Sequence, residues 1–179
     1  MPADGPMSSA APPDFETVYT HHFAFACRSL RLLGVAPASL EDAAQDVFGI
    51  VLRRLSELRG DASVKTWIFA IVQRVAANQR RSERRKQRPL KPLLEEPLMS
   101  LDPSPEDHAE AAQAAARVQT FCDGLDEGHR AVFVLALIED VPAREIAPAL
   151  GIPLFTVYSR IRSLREALKR FLERTERDM

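Results

Sequence analysis

The chain has little cysteine, which limits how it can be stabilised. Only two cysteines, Cys27 and Cys122, occur among 179 residues, and they form no Cys-x-x-Cys pair, so neither a disulfide framework nor a cysteine zinc site is expected. Each lies in an apolar helical pattern and is interpreted as a small core residue. His21 and His22 would point about 100° apart on a helix, so a shared metal centre with Cys27 would be hard to build.

Long apolar runs are missing as well. Although 46% of the residues are apolar, no run approaches the roughly 20 residues that span a bilayer. Residues 1–13 are rich in Pro and Ala and have neither the basic start nor the apolar centre of a signal peptide. We therefore expect a disordered leader, a cytoplasmic protein and no membrane insertion.

The sequence also lacks the patterns of catalysis and of β-structure. It shows no nucleophile–base pair, carboxylate pair or Gly-rich phosphate loop, so neither an enzyme activity nor a cofactor is expected. No alternating apolar stretch is long enough to indicate a sheet. The predicted fold class is all-α.

Charge is unevenly distributed along the chain. The net charge of −1 is the sum of a basic segment and an acidic one: residues 74–91 contain eight basic residues and one acidic residue, and residues 92–116 contain six acidic residues and no Lys or Arg. The acidic segment is interpreted either as a solvated face or as a segment that occupies cationic surface until a partner displaces it.

Prolines divide the chain into two domains. Five prolines fall within 89–105, which excludes a regular helix there. We predict a flexible, Pro-rich acidic linker over 89–105 that joins two small helical domains, 14–88 and 106–175.

Three helices are predicted in the first domain. Asp14, Ser39 and Ser63 are each placed to cap one of them. The third helix, residues 64–86, has an apolar first half and a basic second half. Trp67, the single tryptophan, is expected at the centre of the domain core.

The second of these helices has a continuous polar face opposite its apolar side. The face comprises Asp42, Gln45, Asp46, Gly49 and Arg53. It is either plainly solvent-exposed or a docking face for another protein, and the helical pattern leaves both interpretations open.

Residues 142–172 predict a helix, a three-residue turn and a longer basic helix. Gly151 suits the exit from the first helix and Pro153 the start of the second. The second helix has an apolar face of Val157, Ile161, Leu164, Leu168 and Phe171, opposite Phe155, Ser159, Arg162 and Lys169. An ordinary antiparallel helix pair would share the apolar spacing, but it would not need five basic residues against one acidic residue over 160–170. The pattern therefore favours a helix–turn–helix that binds DNA.

Two sequence blocks in this order resemble the extracytoplasmic-function (ECF) sigma factors of bacterial RNA polymerase. The family's second conserved region resembles LEDAAQDVFGIVLRRLSELRGDASVKTWIFAIVQRVAANQRRSERR, and its fourth resembles LDEGHRAVFVLALIEDVPAREIAPALGIPLFTVYSRIRSLREAL. The resemblance covers nearly the whole chain. It implies a promoter-specificity factor that binds core RNA polymerase and promoter DNA, with a dedicated anti-sigma factor as a further partner.

The resemblance also implies which residues contact each partner. Residues matching the surface that binds core polymerase are Asp42, Gln45, Asp46 and Phe48. Residues matching the part that holds the minus-ten element are Gly60, Asp61, Ser63, Lys65, Arg74, Asn78 and Arg81. Residues matching the positions that meet the minus-thirty-five element are Phe155, Thr156, Tyr158, Ser159, Arg160 and Arg162.

Four residues depart from the family's usual pattern, and the mildest of these changes is Asn78, where the family commonly has Asp. Pro148 removes a hydrogen bond inside the first helix of the motif, so a kink or a very short helix is expected there. Phe155 and Tyr158 are aromatic where the family has other residue types, and an aromatic side chain there could meet a thymine methyl group or pack on a neighbouring helix.

Two alternative functions are a stand-alone helix–turn–helix regulator and a sigma-like docking protein without initiation activity.

Overall fold

The computed structural model describes residues 13–58, 63–86 and 105–177, and within them all regular structure is helical. The all-α prediction is confirmed. The expected leader and linker lie, apart from their end residues 13 and 105, outside the described residues. Within the described part, no helix is both long enough and apolar enough to cross a membrane.

The first three helices form an N-terminal helix group. They are α1 (Phe15–Leu32), α2 (Leu40–Arg54) and α3 (Val64–Lys86), with short 3₁₀ turns at Pro37–Ser39 and Leu55–Glu57. The carboxylate of Asp14 accepts a hydrogen bond from the Thr17 amide at 2.9 Å, and the Ser63 hydroxyl accepts one from the Thr66 amide at 3.2 Å. Asp14 and Ser63 therefore cap α1 and α3 as predicted.

Ser39 does not cap α2 with its side chain. The 3₁₀ turn Pro37–Ser39 runs directly into α2, which leaves Ser39 with a ψ of 0° instead of the extended backbone that a capping residue adopts. Its hydroxyl instead donates to the Glu83 carboxylate at 3.0 Å. The predicted cap is wrong, and the side chain ties the start of α2 to the far end of α3.

The core of this group is aliphatic and phenylalanine-rich at its centre. Ile68, Phe69 and Val72 of α3 have no exposed surface. Trp67 is only partly buried and packs at the edge of the core, so the prediction that it occupies the centre is wrong. Trp67 and Phe69 lie nearly opposite each other around the axis of α3. Because the residues at the start of this helix are apolar on both sides, the sequence does not show which of the two side chains faces the core.

The remaining helices form a C-terminal helix group. They are α4 (Pro105–Asp123), α5 (Glu127–Phe133), α6 (Ala143–Leu150) and α7 (Leu154–Arg177), and α5 continues through a π-helical turn at Val134–Ile138. The Asp126 carboxylate accepts hydrogen bonds from the amides of Gly128 and His129, each at 3.0 Å, and so caps α5.

A tight turn joins α6 to α7. Gly151 ends α6 in the left-handed conformation, with φ of 63°, as expected of a helix-terminating glycine. Only Gly151, Ile152 and Pro153 separate the two helices. With Pro148 inside it, α6 is eight residues long, which confirms the expected short helix.

The two helix groups pack against each other. Helix α1 contacts α4, and α3 contacts α6. Buried apolar residues of both groups join in one continuous cluster. The second group therefore lies on surfaces of α1 and α3 that would otherwise face solvent.

Candidate nucleic-acid and protein interfaces

The outer face of α2 presents a row of polar side chains. Asp42, Gln45 and Asp46 are exposed, because α1 and α3 pack on the opposite side of the helix. Phe48 does not belong to this outer face, since it is 4% exposed. The expectation that Phe48 lies with the three polar residues is wrong, because aromatic side chains of α1 cover it.

Aromatic rings of α1 extend this region beyond the residues found from the sequence. Tyr19 lies edge-on against Phe48 with ring centroids 4.8 Å apart, and Phe23 lies 5.7 Å from Phe48. Tyr19, Phe23 and Leu52 remain partly open to solvent. Phe23 fits the apolar spacing of α1 but is 38% exposed. The i, i+4 spacing of Tyr19 and Phe23 is the sequence signal that could have indicated an aromatic surface beside α2.

The second half of α3 carries an exposed basic face. Arg74, Asn78 and Arg81 recur at helical spacing on one side of the helix and are all exposed. Arg81 donates to the Asn78 side-chain oxygen at 3.3 Å and to the Ala77 carbonyl at 3.2 Å. Arg85 lies one turn further along the same face and is also exposed. Such a row suits contacts to a phosphate backbone.

The start of α3 is arranged differently. Ser63 caps the helix, and Lys65 lies about 180° around the axis from Arg74. The Lys65 ammonium group is 2.9 Å from the Glu139 carboxylate. The structure therefore separates Lys65 from the other predicted minus-ten residues. Gly60 and Asp61 lie outside the described residues.

The outward side of α7 begins with exposed aromatic residues. Phe155 is 76% exposed and Tyr158 is 54% exposed, whereas Val157 between them is fully buried. Ser159 is exposed and Thr156 is half-buried. Most of the face predicted to meet DNA is therefore open, because α7 packs mainly through its apolar face, which includes Val157 and Leu164.

The two arginines of the predicted DNA face occupy different environments. The side chain of Arg162 is 85% exposed, and among the described residues it pairs with Glu166, one turn along α7, at 3.3 Å. Arg160 instead donates to the Gly128 carbonyl at 3.2 Å. A Cβ atom at position 128 would lie 3.0 Å from the Arg160 guanidinium, so a larger residue there would require this guanidinium to shift slightly. Arg160 thus joins α7 to the start of α5.

Both cysteines have thiols that are poorly disposed to ionise. Burial raises the pKa of the Cys122 thiol to about 12, and burial also raises the pKa of the Cys27 thiol. In the part of the chain that the structure describes, no three His, Cys, Asp or Glu side chains are grouped to hold a metal ion. The interpretation of Cys122 as a core residue agrees with its burial, whereas Cys27 is only partly buried and packs against the core.

Comparison with known families identifies the first helix group. Residues 18–86 match the family of Sigma-70 region 2. This span covers α1, except for its first turn, and all of α2 and α3. It therefore contains both the polar face of α2 and the basic face of α3.

Curated relatives extend the match to most of the chain. The ECF RNA polymerase sigma factor RpoE of Cereibacter sphaeroides is 34% identical over 142 residues, which cover 78% of this chain and 75% of RpoE. The chain belongs to the ECF RNA polymerase sigma factors. The RNA polymerase sigma factor CnrH of Cupriavidus metallidurans is 27% identical to this sigma factor over 169 residues, with 89% and 86% of the two chains covered. As a member of this family, the chain is an alternative sigma factor that directs transcription initiation.

Solved structures have the same fold as this sigma factor. CnrH in complex with the cytosolic domain of CnrY superimposes with a TM-score of 0.66 at 23% identity, covering 89% of this chain and 87% of that one. RpoE in complex with the anti-sigma factor NepR from Bartonella quintana gives a TM-score of 0.64 at 17% identity, covering 89% and 97%. The match of each superposition spans both helix groups of this sigma factor.

Proposed function

We propose that this sigma factor binds core RNA polymerase through the outer face of α2 and promoter DNA through α3 and α7. The polymerase surface would comprise Asp42, Gln45 and Asp46, flanked by the exposed rings of Tyr19 and Phe23. Its polar residues are exposed and belong to the region that matches the Sigma-70 region 2 family. The adjoining aromatic surface would supply apolar contact area to a partner.

The basic face of α3 would hold the single strand of an opened minus-ten element. Opening a duplex costs unstacking energy, which captured bases and cationic contacts to phosphates offset. Arg74, Asn78 and Arg81 are exposed on one face and are therefore accessible to such a strand. Ser63, which caps the start of α3, would lie at the base-binding end of this surface, whereas Lys65 lies on the opposite side of the helix.

The outward face of α7 would enter the major groove of the minus-thirty-five element. The observation that carries the proposed function is the sharp division of α7 into a buried side at Val157 and Leu164 and an open side at Phe155 and Arg162. A recognition helix needs this division, since one side must pack while the other contacts base edges. Tyr158, Ser159 and Thr156 lie beside these residues at the N-terminal end of α7, where base contacts are made.

The proposed sigma factor carries no chemistry of its own, so polymerase would form every bond. A dedicated anti-sigma factor would keep it from polymerase, and the complex of B. quintana RpoE with NepR supports such a partner.

The test is reconstitution with purified core polymerase. We expect the chain to co-elute with core enzyme in size exclusion and to direct run-off transcription from promoters selected out of a random DNA library. Co-elution without any transcript would support the sigma-like docking protein instead. Selective duplex binding without co-elution would support the stand-alone regulator.

A further inference from the structure

Glu139 lies at the seam between the two helix groups and is almost completely buried. Its side chain is 5% exposed. One carboxylate oxygen is 3.0 Å from the Arg28 guanidinium of α1, and the other is 2.9 Å from the Lys65 ammonium group of α3. Lys65 also donates to the Glu139 backbone carbonyl at 3.0 Å. A single acidic residue of the C-terminal group thus binds one cation from each of two helices of the N-terminal group.

The backbone around Glu139 is shaped to deliver this carboxylate. The π-helical turn Val134–Ile138 leads into it, and Asp140 directly after it has a φ of 52°. Both features are uncommon and are often found where structure serves function. Lys65 is further fixed over the Phe25 ring, with its nitrogen 5.2 Å from the ring centroid.

A second ionic contact crosses the same seam. Arg80 of α3 donates to the Leu33 carbonyl at 2.7 Å and to the Glu127 carboxylate of α5 at 3.0 Å. Acidic residues of the C-terminal group therefore neutralise Arg28, Lys65 and Arg80 of the N-terminal group. Phosphate groups of DNA would compete for the same cations.

Helix α6 packs against α3 next to the proposed minus-ten surface. On α3, Trp67 and Ala70 continue the stripe of Arg74, Asn78 and Arg81 toward the start of the helix, at spacings of three and four residues. Trp67 and Ala70 line a cavity of about 540 Å³ together with Pro148 and Ala149 of α6. The helix–turn–helix therefore lies next to the beginning of the surface on which the opened strand would be held.

We infer that Glu139 is an electrostatic latch that holds this sigma factor in a closed, self-inhibited arrangement. In the closed state Lys65 is occupied by Glu139 and α6 lies next to the start of the α3 face. The apparent affinity for single-stranded DNA is then the intrinsic affinity multiplied by the fraction of open molecules. The DNA part of this inference rests on the proposed function, whereas the closure itself does not.

Small-angle X-ray scattering of the full chain tests the closure without DNA. Glu139→Gln removes the charge at nearly constant volume and is expected to increase the radius of gyration. The matched control is Glu173→Gln, which removes a negative charge from the same helix group, because Glu173 pairs with Lys169 within α7. An unchanged radius for E139Q, with a folded circular dichroism spectrum, would overturn the latch.

A second variant acts from the opposite side of the seam. Lys65→Met removes a cation that binds Glu139 and is also expected to expand the molecule. It keeps the latch testable if E139Q fails to fold. Added salt should expand the wild-type chain, since the Arg28 side chain is 55% exposed and open to screening. The radius of gyration of folded E139Q should increase less with added salt than that of the wild type. An equal increase in both proteins would count against the latch.

Fluorescence anisotropy with a labelled 20-nucleotide oligodeoxythymidylate tests the inhibition. E139Q is expected to bind about tenfold more tightly than the wild type and E173Q equally with it. Expansion of E139Q without tighter binding would overturn the inhibitory role. If the expanded E139Q and the wild type both failed to bind single-stranded DNA at all, the proposed minus-ten function would fail while the latch between helix groups would stand.

Discussion

Arg160 of α7 and Gly128 of α5 are joined by a hydrogen bond of 3.2 Å from the guanidinium group to the backbone carbonyl. The bond links two helices of the C-terminal group across 32 residues of sequence. It gives Arg160 a role in stability, in contrast to the solvent-exposed Arg162 two residues further along α7.

The contrast between these arginines leads to the first prediction. Arg160→Ala should lower the free energy of unfolding by about 1 kcal/mol through the lost hydrogen bond and packing. Arg162→Ala should leave it unchanged within about 0.5 kcal/mol, because its pair with Glu166 is exposed. It should instead cost about 1–3 kcal/mol of duplex promoter binding if Arg162 contacts a base in the major groove. Urea unfolding and anisotropy with a selected minus-thirty-five duplex measure the two effects, and equal loss of stability in both variants would contradict the assignment.

Reversal of charge at Asp46 tests the polymerase surface. Asp46→Arg should weaken association with core polymerase by tenfold or more, about 1.4 kcal/mol. The reason is that the substitution reverses the charge at one position of a face that also carries Asp42. Binding of the minus-thirty-five duplex and the melting temperature should stay unchanged. Glu173→Arg is the control, because it makes the same change of charge on α7. Equal loss of polymerase binding in the two variants would show that net charge, and not the α2 face, is responsible.

The Asp126 cap gives a prediction on acid stability. The hydrogen bond from the His129 backbone amide is the main reason that the pKa of Asp126 lies below its ordinary value of 3.8, and a hydrogen bond with the His129 side chain lowers it further. Because the folded-state pKa is lowered, this stabilisation is present above pH 3.8 and is lost as pH falls further through the folded-state value. Asp126→Asn keeps an acceptor but loses the charge near the start of α5, so it should cost about 0.3–1 kcal/mol at pH 6.

The same comparison at low pH completes the test. In urea unfolding, the difference between the wild type and Asp126→Asn should shrink from pH 6 to pH 3, where the wild-type carboxylate begins to be protonated. A difference that stays constant over this range would show that the charge contributes nothing at this cap.

The sequence predicts the elements well where the signals are local. The start of α3 follows from the Ser63 cap, and the predicted first residue, 64, agrees with the observed Val64. Likewise, Gly151 locates the end of α6 because a left-handed residue is needed there. Local patterns suffice in these cases because the physical cause lies within a few residues.

Long-range contacts explain what sequence patterns could not supply. Lys65 and Glu139 are 74 residues apart, so their pairing follows only from the packing of the two helix groups. Similarly, helical spacing separates Arg160 from Arg162 by about 200°, but nothing local indicates that the Gly128 carbonyl faces Arg160. The resemblance assigns Phe48 to the polymerase surface, but its cover, Tyr19 and Phe23, comes from another helix and is not visible in the local pattern of α2.

Thiol reactivity provides a test of the core around α4. The Cys122 side chain is fully buried, and its pKa is raised to about 12 by that burial. Since the thiolate is the reactive species, Cys122 should not react with a disulfide reagent at pH 8 in the native chain and should react fully in urea. Cys122→Ser and Cys27→Ser variants assign the signal to each residue. Rapid reaction of native Cys122 would show that α4 separates readily from α5 and α7.

The exposed ring of Phe155 yields the most specific prediction about promoter sequence. The Phe155 side chain is 76% exposed on the outward face of α7, so packing against the described residues does not explain why an apolar residue stands there. In the major groove the distinctive apolar group is the C5-methyl of thymine, which phenylalanine can contact. We therefore expect selected minus-thirty-five sequences to contain a thymine whose methyl group contributes to binding.

Replacement of each thymine by deoxyuridine isolates this contact, because only the methyl group is lost. One such replacement should weaken duplex binding by the wild type by about fivefold, in line with roughly 1 kcal/mol for a buried methyl group. Phe155→Ala should bind the thymine and deoxyuridine duplexes equally, and Tyr158→Phe serves as a neighbouring control that keeps an aromatic ring. If no thymine is sensitive to loss of its methyl group, or if Phe155→Ala keeps the full difference, Phe155 does not contact a thymine methyl.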